Sequence, residues 1–231
     1  MSELDCVAII SGGLDSVTLL HDLVKNKQRN PLVLSFRYGQ KHFRELACAR
    51  AQAKQLGCTR HRIVDLSLIA DFFSTSALIG PQVAIPTSAQ VQGDNQPPTY
   101  VPNRNMIFLS LAVALAESIG VNDVYYGAQQ VDTYGYWDTT QEFVNGINNV
   151  LVLNRRSPVQ IRAPFLEMRK AAIIRLGISL GVDYANTWSC YQGGKTACGG
   201  CPACGERLAA FEEIGLKDPL PYLSQVSPMT L

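Results

Sequence analysis

The sequence predicts an α/β protein built on an open, mostly parallel sheet with helices on both faces. Short apolar runs alternate with helical patterns up to residue 66 and again from residue 106 onward, and such alternation is typical of βαβ units and parallel sheets. A turn with two glycines follows the first apolar run, and four cysteines crowd between residues 190 and 204. The turn and the cysteines are therefore the first candidates for functional sites.

The individual elements follow one another in a regular order. The predicted strands are 6–10, 31–36, 61–66, 123–127 and about 159–164. The predicted helices are about 17–24, 42–56, 106–119, about 141–153 and 170–180. The helix at 106–119 is apolar enough to serve either the core or a subunit interface.

Residues 67–100 interrupt this order. They are rich in Ser, Thr, Gln, Pro and Gly and are too long for an ordinary connection, so they predict a loop or lid. We therefore expect one α/β domain over residues 1–185, with the lid inside it, and a smaller C-terminal segment over residues 186–231 that packs on this domain.

The composition limits the possible partners and the cellular compartment. The chain has 20 Lys and Arg against 19 Asp and Glu, so it lacks the basic excess that favours nucleic acid. The first ten residues lack the basic region of a signal peptide, and no apolar run reaches the roughly 18 residues that a membrane span requires. We therefore expect a cytoplasmic protein that binds a small molecule and contacts neither nucleic acid nor a membrane.

The sequence SGGLDS at residues 11–16 stands between the first predicted strand and helix. Glycines let a backbone approach a ligand closely, and a helix N-terminus offers unpaired N–H groups and partial positive charge. The segment therefore suits an anion such as a phosphate, with the hydroxyls of Ser11 and Ser16 as further donors. A helix capped by Asp15 or Ser16 after a tight turn is the alternative. No GxGxxG follows the strand, and Ser189 replaces the first glycine of a Walker pattern before GGKT.

Four cysteines have the spacing of a metal site: Cys190, Cys198, Cys201 and Cys204. Four thiolates with this spacing predict tetrahedral Zn²⁺ with no open ligand position, and hence a structural ion. The chain can form tight turns around this ion, because it has glycines at 199, 200 and 205 and a proline at 202. An iron–sulfur cluster is the second possibility. The remaining cysteines are expected to be packed thiols: Cys6, Cys48 and Cys58.

Further stretches, in order along nearly the whole chain, narrow the interpretation of the SGGLDS loop. They are LSFRYGQKHFREL (34–46), TYVPNRNMIFLSLA (99–112), GYWDTTQEF (135–143) and WSCYQGGKTACGGCPACGERL (188–208). The loop resembles the SGGxDS signature of the PP-loop ATP pyrophosphatase superfamily, and the whole set resembles its 7-cyano-7-deazaguanine synthase family. The resemblance implies an adenine nucleotide alpha hydrolase-like, Rossmann-like sheet and a homodimer.

The resemblance also implies a particular chemistry. The family converts 7-carboxy-7-deazaguanine and ammonia to 7-cyano-7-deazaguanine in queuosine and 7-deazaguanine biosynthesis. ATP activates the carboxylate as an adenylate, an amide forms, and the amide is dehydrated to the nitrile. Activation is needed because oxide is a poor leaving group, and the site must then hold ammonia while it excludes water. Pyrophosphate release generally needs Mg²⁺.

The resemblance assigns roles to residues by their positions. Asp15, Ser16, Lys170 and Arg104 are the candidate catalytic residues: Asp15 helps to place Mg²⁺, Lys170 lies near the phosphates, and Arg104 offers fork donors to a carboxylate or phosphate. The alternative for Lys170 is a solvated lysine in the first turn of its helix. The alternative for Arg104 is a surface arginine that follows a helix cap at Asn103. The candidate ATP-binding residues are Ile10, Ser11, Gly12, Gly13, Leu14, Asp15, Ser16, Val17, Thr18, Leu19 and Leu20.

The candidate substrate-binding residues lie in several of the matched stretches. The first three follow the second strand at its carboxyl end, where open parallel sheets bind ligands, and Arg104 with its flanking asparagines stands at the mouth of a helix. The full set is Tyr38, Gln40, His42, Tyr100, Asn103, Arg104, Asn105, Asp132, Tyr136 and Asp138.

The chain departs from the family pattern at two places. Arg37 stands where an aspartate is usual, and Thr139 and Thr140 stand where a cysteine and an arginine are usual. If the missing arginine binds the substrate carboxylate, another cation must replace it, and Arg37, Arg155 and Arg156 are candidates. One alternative function is therefore conjugation of an activated deazapurine carboxylate to a different amine, including one on a protein. A second is a non-catalytic nucleotide-binding module, against which the intact motifs speak.

Overall fold

A computed structural model describes residues 3–41, 43–93, 96–129 and 136–223. Its centre is a sheet of five strands in the order β3-β2-β1-β4-β5. All four pairings between neighbouring strands are parallel, which confirms the predicted open parallel sheet. The strands are β1 (Cys6–Ile9), β2 (Pro31–Arg37), β3 (His61–Asp65), β4 (Asp123–Tyr126) and β5 (Gln160–Arg162).

Six α-helices connect and cover these strands in the described ranges. The first continues into a π-helical turn over Asp22–Asn26. The helices are α1 (Leu14–His21), α2 (Arg44–Gln55), α3 (Arg104–Ile119), α4 (Gln141–Leu151), α5 (Lys170–Ser179) and α6 (Pro202–Glu213). The first five correspond to the predicted helices.

Helix α6 was not predicted, because the glycines and the proline among the cysteines indicated tight turns around a metal ion and not a helix. Gly199 does adopt the expected left-handed turn, with φ of +80°. Pro202, however, is the first residue of α6, where a missing N–H costs nothing. Gly205 lies inside the helix, and a Cβ there would come within 2.6 Å of the Ser88 hydroxyl. Close packing, and not a turn, therefore explains Gly205.

The sheet buries a different apolar cluster on each face, which explains why its strands are apolar almost throughout. On one face Val7 and Leu34 pack with α3 and α4. On the other face Ala8 and Val33 pack with α1, α2, α5 and α6. Neighbouring residues of one strand point to opposite faces, so the two clusters fix the register of the whole sheet.

The predicted loop or lid at residues 67–100 contains no α-helix or strand in its described part. It holds two 3₁₀ turns, Ser67–Phe73 and Ala89–Val91. Phe73, Leu78 and Val91 are buried, and the Ser88 N–H donates to the Gly200 carbonyl at 3.0 Å. The segment is thus packed against the core and against the cysteine-bearing segment, and its action as a lid stays a prediction.

The C-terminal segment is fixed to the α/β core by a buried arginine. The Arg207 guanidinium pairs with both carboxylate oxygens of Asp218, at 2.7 and 3.0 Å, and its other donors reach Thr187 Oγ1 and the Tyr184 carbonyl. Tyr222 also donates to Asp218. One side chain therefore holds α6, residues 184–189 and residues 218–222 together.

None of the helices in the described ranges is both long enough and apolar enough to span a membrane.

The Arg207–Asp218 pair generates a stability prediction. Only 2% of the Arg207 side chain and 1% of the Asp218 side chain are exposed. Asp218→Asn leaves a buried guanidinium without its counter-charge, which typically costs about 3–5 kcal/mol of the free energy of unfolding. Denaturant unfolding followed by circular dichroism measures this loss.

The control is Asp65→Asn, which removes the charge from the exposed Arg37–Asp65 pair at 3.5 Å. An exposed pair contributes little, so this variant should unfold at the same denaturant concentration as the parent. Equal stability of Asp218→Asn and the parent would contradict the role given to Arg207.

Candidate active site and cysteine cluster

One cavity lies at the carboxyl ends of β1, β2 and β4, with a volume of about 290 Å³. Strand β1 pairs with β2 on one side and β4 on the other, so the chain reverses its direction of winding at this point. Open α/β sheets bind ligands in the crevice at such a switch point. Topology alone therefore makes this cavity the candidate site.

The SGGLDS loop forms the floor of the cavity, and Gly12 determines its shape. Gly12 has φ of +99°, a conformation that strongly favours glycine. A Cβ on Gly12 would lie 2.8 Å from the Ala49 backbone nitrogen of α2. The carbonyl of Gly12 accepts the Trp188 N–H at 3.0 Å. Gly12 is thus required by the backbones packed behind the loop, whereas Gly13 faces the cavity.

The loop is closed by hydroxyl groups and leads directly into α1. Ser16 Oγ accepts from the Gly12 N–H and donates to the Gly13 carbonyl, both at 3.1 Å, while Ser11 Oγ accepts from the Gly13 N–H at 3.2 Å. Gly13 is the N-cap residue, so Asp15 and Ser16 lie within the helix and neither is its cap. The cap supplies no side-chain acceptor for the first-turn amides, which is the arrangement that suits an anion.

A cluster of charged side chains lies beside the loop. Lys170, the first residue of α5, places its ammonium 2.9 Å from Glu206 Oε2 and 3.7 Å from Asp15 Oδ2. Only 17% of its side chain is exposed, so Lys170 is not the solvated lysine of the alternative interpretation. Lys170, Asp15 and Glu206 all line the cavity.

The other end of the cavity is aromatic and carries a second cation. The Phe36 and Phe108 rings stack with centroids 4.1 Å apart, and Tyr38 meets Phe108 edge-on at 5.3 Å. Arg104, the first residue of α3, lines this end. Apolar rings beside a guanidinium suit a flat heterocycle that carries a negative charge.

The environment of Arg104 keeps its charge. Burial by itself lowers the pKa of Arg104, but the neighbouring Tyr38 and Asp138 raise it above the ordinary value. Burial raises the pKa of Asp138, and Arg104 opposes that change. The Asn105 amide donates to the Asp138 carbonyl at 3.3 Å. These contacts hold the start of α3 against the 3₁₀ turn at Trp137–Thr139.

The structure brings many of the predicted site residues together at this cavity. Its lining includes the predicted residues Ile10, Ser11, Gly13, Leu14, Asp15, Ser16, Tyr38, Arg104, Asn105, Tyr136 and Lys170.

Other predicted residues lie behind the cavity wall and not in it, within the described ranges. Val17, Thr18, Leu19 and Leu20 are buried inside α1, and Gly12 packs on α2. The predicted substrate residues Tyr100, Asn103, Gln40 and Asp138 are likewise not part of the lining.

Several of these residues have structural contacts instead. Gln40 braces the turn after β2, since its side chain bonds to the Tyr38 N–H at 2.7 Å and to the Phe36 carbonyl at 3.1 Å. Tyr100 Oη accepts from Trp137 Nε1 at 2.9 Å. Asn103 is exposed and has φ of +52°. His42 and Asp132 lie outside the described residues.

Sequence reasoning missed one wall of the cavity, which the C-terminal segment supplies. Its members there are Trp188, Ser189, Tyr191, Ala203, Glu206 and Arg207. All of them lie within residues 188–208, the stretch that carries both the cysteine spacing and part of the family resemblance. Three further missed residues follow β4, namely Gly127, Ala128 and Gln129. Gln129 is buried, and its amide donates to the Met168 carbonyl at 3.0 Å.

The two departures from the family pattern have different positions. Thr139 lines the cavity, whereas Thr140 caps α4 by accepting the Phe143 N–H at 3.1 Å. Arg37 is exposed and pairs with Asp65. Arg155 and Arg156 are also exposed. Of the described arginines, Arg104 and Arg207 line the cavity.

The four predicted ligand cysteines come together at one point. Their sulfur atoms all lie within 4.8 Å of one another, so the group could hold a metal ion. Cys198 and Cys204 sulfurs are 3.9 Å apart, close to the roughly 3.8 Å expected for two ligands at about 2.3 Å from one tetrahedral ion. Backbone N–H groups of Cys198 and Cys201 donate to the sulfurs of Cys190 and Cys198, both at 3.3 Å. Such bonds stabilise thiolates.

The three other cysteines are not members of this group, although Cys48 packs against it. Cys6 and Cys58 are buried, and Cys48 is partly buried. Burial is the main cause that raises the pKa of each thiol. They are thus protonated, packed thiols, as the sequence predicted.

Fold and site together define a class: a doubly wound parallel α/β protein with a glycine loop at its switch point and a four-cysteine cluster beside it. Residues 5–215 match the family described as queuosine biosynthesis protein QueC. The chain therefore belongs to the QueC family.

Curated relatives agree with this assignment, and a solved structure shares the fold. The chain is 44% identical to 7-cyano-7-deazaguanine synthase 1 of Colwellia psychrerythraea, over 94% of this chain and 97% of that protein. It is 43% identical to the 7-cyano-7-deazaguanine synthase of Caldicellulosiruptor saccharolyticus, over 94% of each. The NMN synthetase of Francisella tularensis matches with a TM-score of 0.50 and 14% identity, over 93% of this chain and 74% of that one. The last likeness concerns the fold alone.

The two loop glycines generate a prediction because their surroundings differ. Gly12→Ala strains a positive φ and pushes a methyl group into the α2 backbone, so we expect a loss of about 2 kcal/mol or more in the free energy of unfolding. Gly13→Ala is the matched control, since its Cβ would make only ordinary contacts at 3.4 and 3.5 Å. Thermal unfolding compares the two. Equal midpoints would show that Gly12 is not required by packing.

Proposed function

We propose that this protein uses ATP to convert 7-carboxy-7-deazaguanine and ammonia to 7-cyano-7-deazaguanine. Membership of the QueC family over residues 5–215 supports this activity, and so do the synthase names of relatives that cover 94% of the chain. The observation that carries the proposal is that the SGGLDS loop, Lys170 and Arg104 line one cavity. The loop, the lysine and the arginine are far apart in sequence, and the fold places all three around one ligand-sized space.

The loop end of the cavity suits the phosphates of ATP. The first-turn amides of α1 supply partial positive charge. The ammonium of Lys170, which also contacts Glu206 and Asp15, adds a full charge at the same end of the cavity. Asp15 offers a carboxylate 3.7 Å from that ammonium, and carboxylates next to phosphates are the usual protein ligands of Mg²⁺. In the proposed reaction the substrate carboxylate attacks the α-phosphorus, pyrophosphate leaves, and Lys170 neutralises charge on the leaving group.

The aromatic end suits the deazapurine carboxylate. Phe36, Tyr38 and Phe108 provide apolar ring surface, and the Arg104 guanidinium can pair with a carboxylate through two parallel bonds. The family usually has an arginine where this chain has Thr140. Arg104 can supply a cation for the substrate carboxylate in its absence. Arg37, Arg155 and Arg156 are exposed and do not line the cavity, which favours Arg104 over them for this purpose.

The cysteine cluster suits Zn²⁺. Four thiolates with sulfurs within 4.8 Å of one another can surround a single tetrahedral ion. A [4Fe–4S] cluster would separate the sulfurs further, because each cysteine binds a different iron atom. A closed set of four ligands gives the ion a structural role.

The 67–100 segment suits a lid. At about 290 Å³ the cavity lies at the lower end of the range for small-molecule sites, so two substrates require one wall to move. Leu78 of this segment lines the cavity. Its closure over the adenylate would exclude water while ammonia attacks.

The homodimer stays a prediction that sedimentation analysis tests, and exposed Met106, Trp137 and Val150 beside α3 and α4 offer apolar surface for it.

The first prediction of this proposal concerns the product. Purified protein incubated with MgATP, 7-carboxy-7-deazaguanine and ammonium should release the nitrile, with AMP and pyrophosphate, as mass spectrometry will detect. Omission of ATP is the control and should leave the carboxylate unchanged. Accumulation of an amide or an adenylate without nitrile, or no consumption of ATP, would contradict the proposal.

The second prediction concerns Arg104. Arg104→Gln removes a charged hydrogen-bond donor worth roughly 1.5–3 kcal/mol, so kcat/KM for the carboxylate substrate should fall roughly 10- to 150-fold. Arg37→Gln is the matched control at an exposed arginine and should retain the parent kcat/KM. If both substitutions changed kcat/KM by a similarly small factor, Arg104 would not bind the substrate carboxylate.

The third prediction concerns the metal. Elemental analysis should find about one zinc per chain, and Cys201→Ser should lower the metal content and the thermal midpoint, because metal binding contributes directly to folding. Cys58→Ser is the control at a buried thiol outside the cluster and should keep its full metal content. Iron in place of zinc would overturn the assignment.

A further inference from the structure

The ligand cysteines and the cavity-lining residues are interleaved along the C-terminal segment. Ser189 and Tyr191 stand on either side of Cys190, and Ala203 stands between Cys201 and Cys204. Each of these neighbours lines the cavity. The same short stretches of backbone therefore build both the metal site and one wall of the active site.

Helix α6 extends this connection into the charged cluster. Cys201 is the N-cap residue of α6, and Cys204 lies in its first turn. Glu206 follows two residues later and holds the ammonium of Lys170 at 2.9 Å. Because a helix is rigid over this distance, an ion that fixes the two cysteines also fixes the carboxylate of Glu206.

Two contacts carry the connection on to the phosphate loop. Lys170 approaches Asp15 at 3.7 Å, and Asp15 lies in the first turn of α1. Independently, the Trp188 N–H donates to the Gly12 carbonyl at 3.0 Å, two residues before Cys190. The cluster is thus joined to the loop through α6 and through the chain that leads to its first ligand.

We propose that metal held by the cysteine cluster and nucleotide held by the SGGLDS loop stabilise each other, with Glu206 as the positioning residue that links them through Lys170. The proposal rests on the proposed function for the nucleotide. Binding linkage is reciprocal: a metal that orders the wall tightens nucleotide binding, and a nucleotide that contacts the ordered wall slows loss of the metal. The metal would then control the active site as well as bracing the fold.

The reciprocal effect gives an experiment that does not require catalysis. Metal release from the purified holoprotein to a chelating dye is followed with and without MgATP, in the absence of any carboxylate substrate. We expect MgATP to slow the release at least about fivefold, the lower end of couplings between protein sites. MgATP affinity is titrated separately on the same preparation.

Variants separate the link from general stability. Glu206→Ala should retain metal but lose the protection by MgATP to within about twofold. Glu213→Ala is the matched control, because it removes the other ion pair between α5 and α6, the exposed Arg169–Glu213 pair at 3.3 Å. It should keep full protection. If Glu206→Ala does not retain metal, Lys170→Met tests the same link. Metal release from this variant is measured at a MgATP concentration that saturates it, and MgATP should no longer slow the release.

Each outcome addresses a separate statement. Absence of any MgATP binding to the parent protein would overturn the proposed function. Binding of MgATP without a change in metal release would overturn the coupling alone. Protection that persists in Glu206→Ala, or in Lys170→Met when that variant replaces it, would show that the connection does not run through the Glu206–Lys170 pair.

Discussion

Three parts of the backbone meet at Gly12, and the candidate site depends on that meeting. The residue has φ of +99°, the α2 backbone packs where a Cβ would lie, and its carbonyl accepts the Trp188 N–H. A side chain at this position would separate the loop from α2 and from the C-terminal segment together. The first turn of α1 therefore points into the cavity because its neighbours leave the loop no other path.

The C-terminal segment completes the site and is more than a brace at its edge. Within this segment Arg207 forms a buried pair with Asp218, and Arg207 also donates to the Tyr184 carbonyl of the α/β domain. That pairing cancels most of the charge of Arg207, even though the side chain lines the cavity. Lys170 and Arg104 lie at the two ends of the cavity, and each also has an acidic neighbour: Glu206 and Asp15 beside Lys170, and Asp138 beside Arg104.

Local sequence predicted the sheet and five helices, because apolar periodicity and helix patterns are local properties. It also predicted the cysteine cluster, since ligand spacing is local. It missed α6, whose glycines and proline resemble turns, and it missed Glu206, whose partner Lys170 lies on another helix. It placed Gln40 at the substrate because that residue follows a strand, whereas the fold uses it to brace a turn. Long-range packing decided the case of Glu206, whereas Gln40 bonds within its own turn, to residues two and four positions earlier.

The bond between Thr18 and Tyr184 spans 166 positions of the chain, at 2.7 Å. It lies where α1, the first helix after the glycine loop, meets the stretch that leads to Trp188. All five strands and helices α1 to α5 precede that tyrosine along the chain. Such distant contacts close late and slow the last stage of folding. One wall of the pocket, which begins at Trp188, lies beyond this tyrosine in sequence, so the pocket is completed only when the two ends of the chain meet.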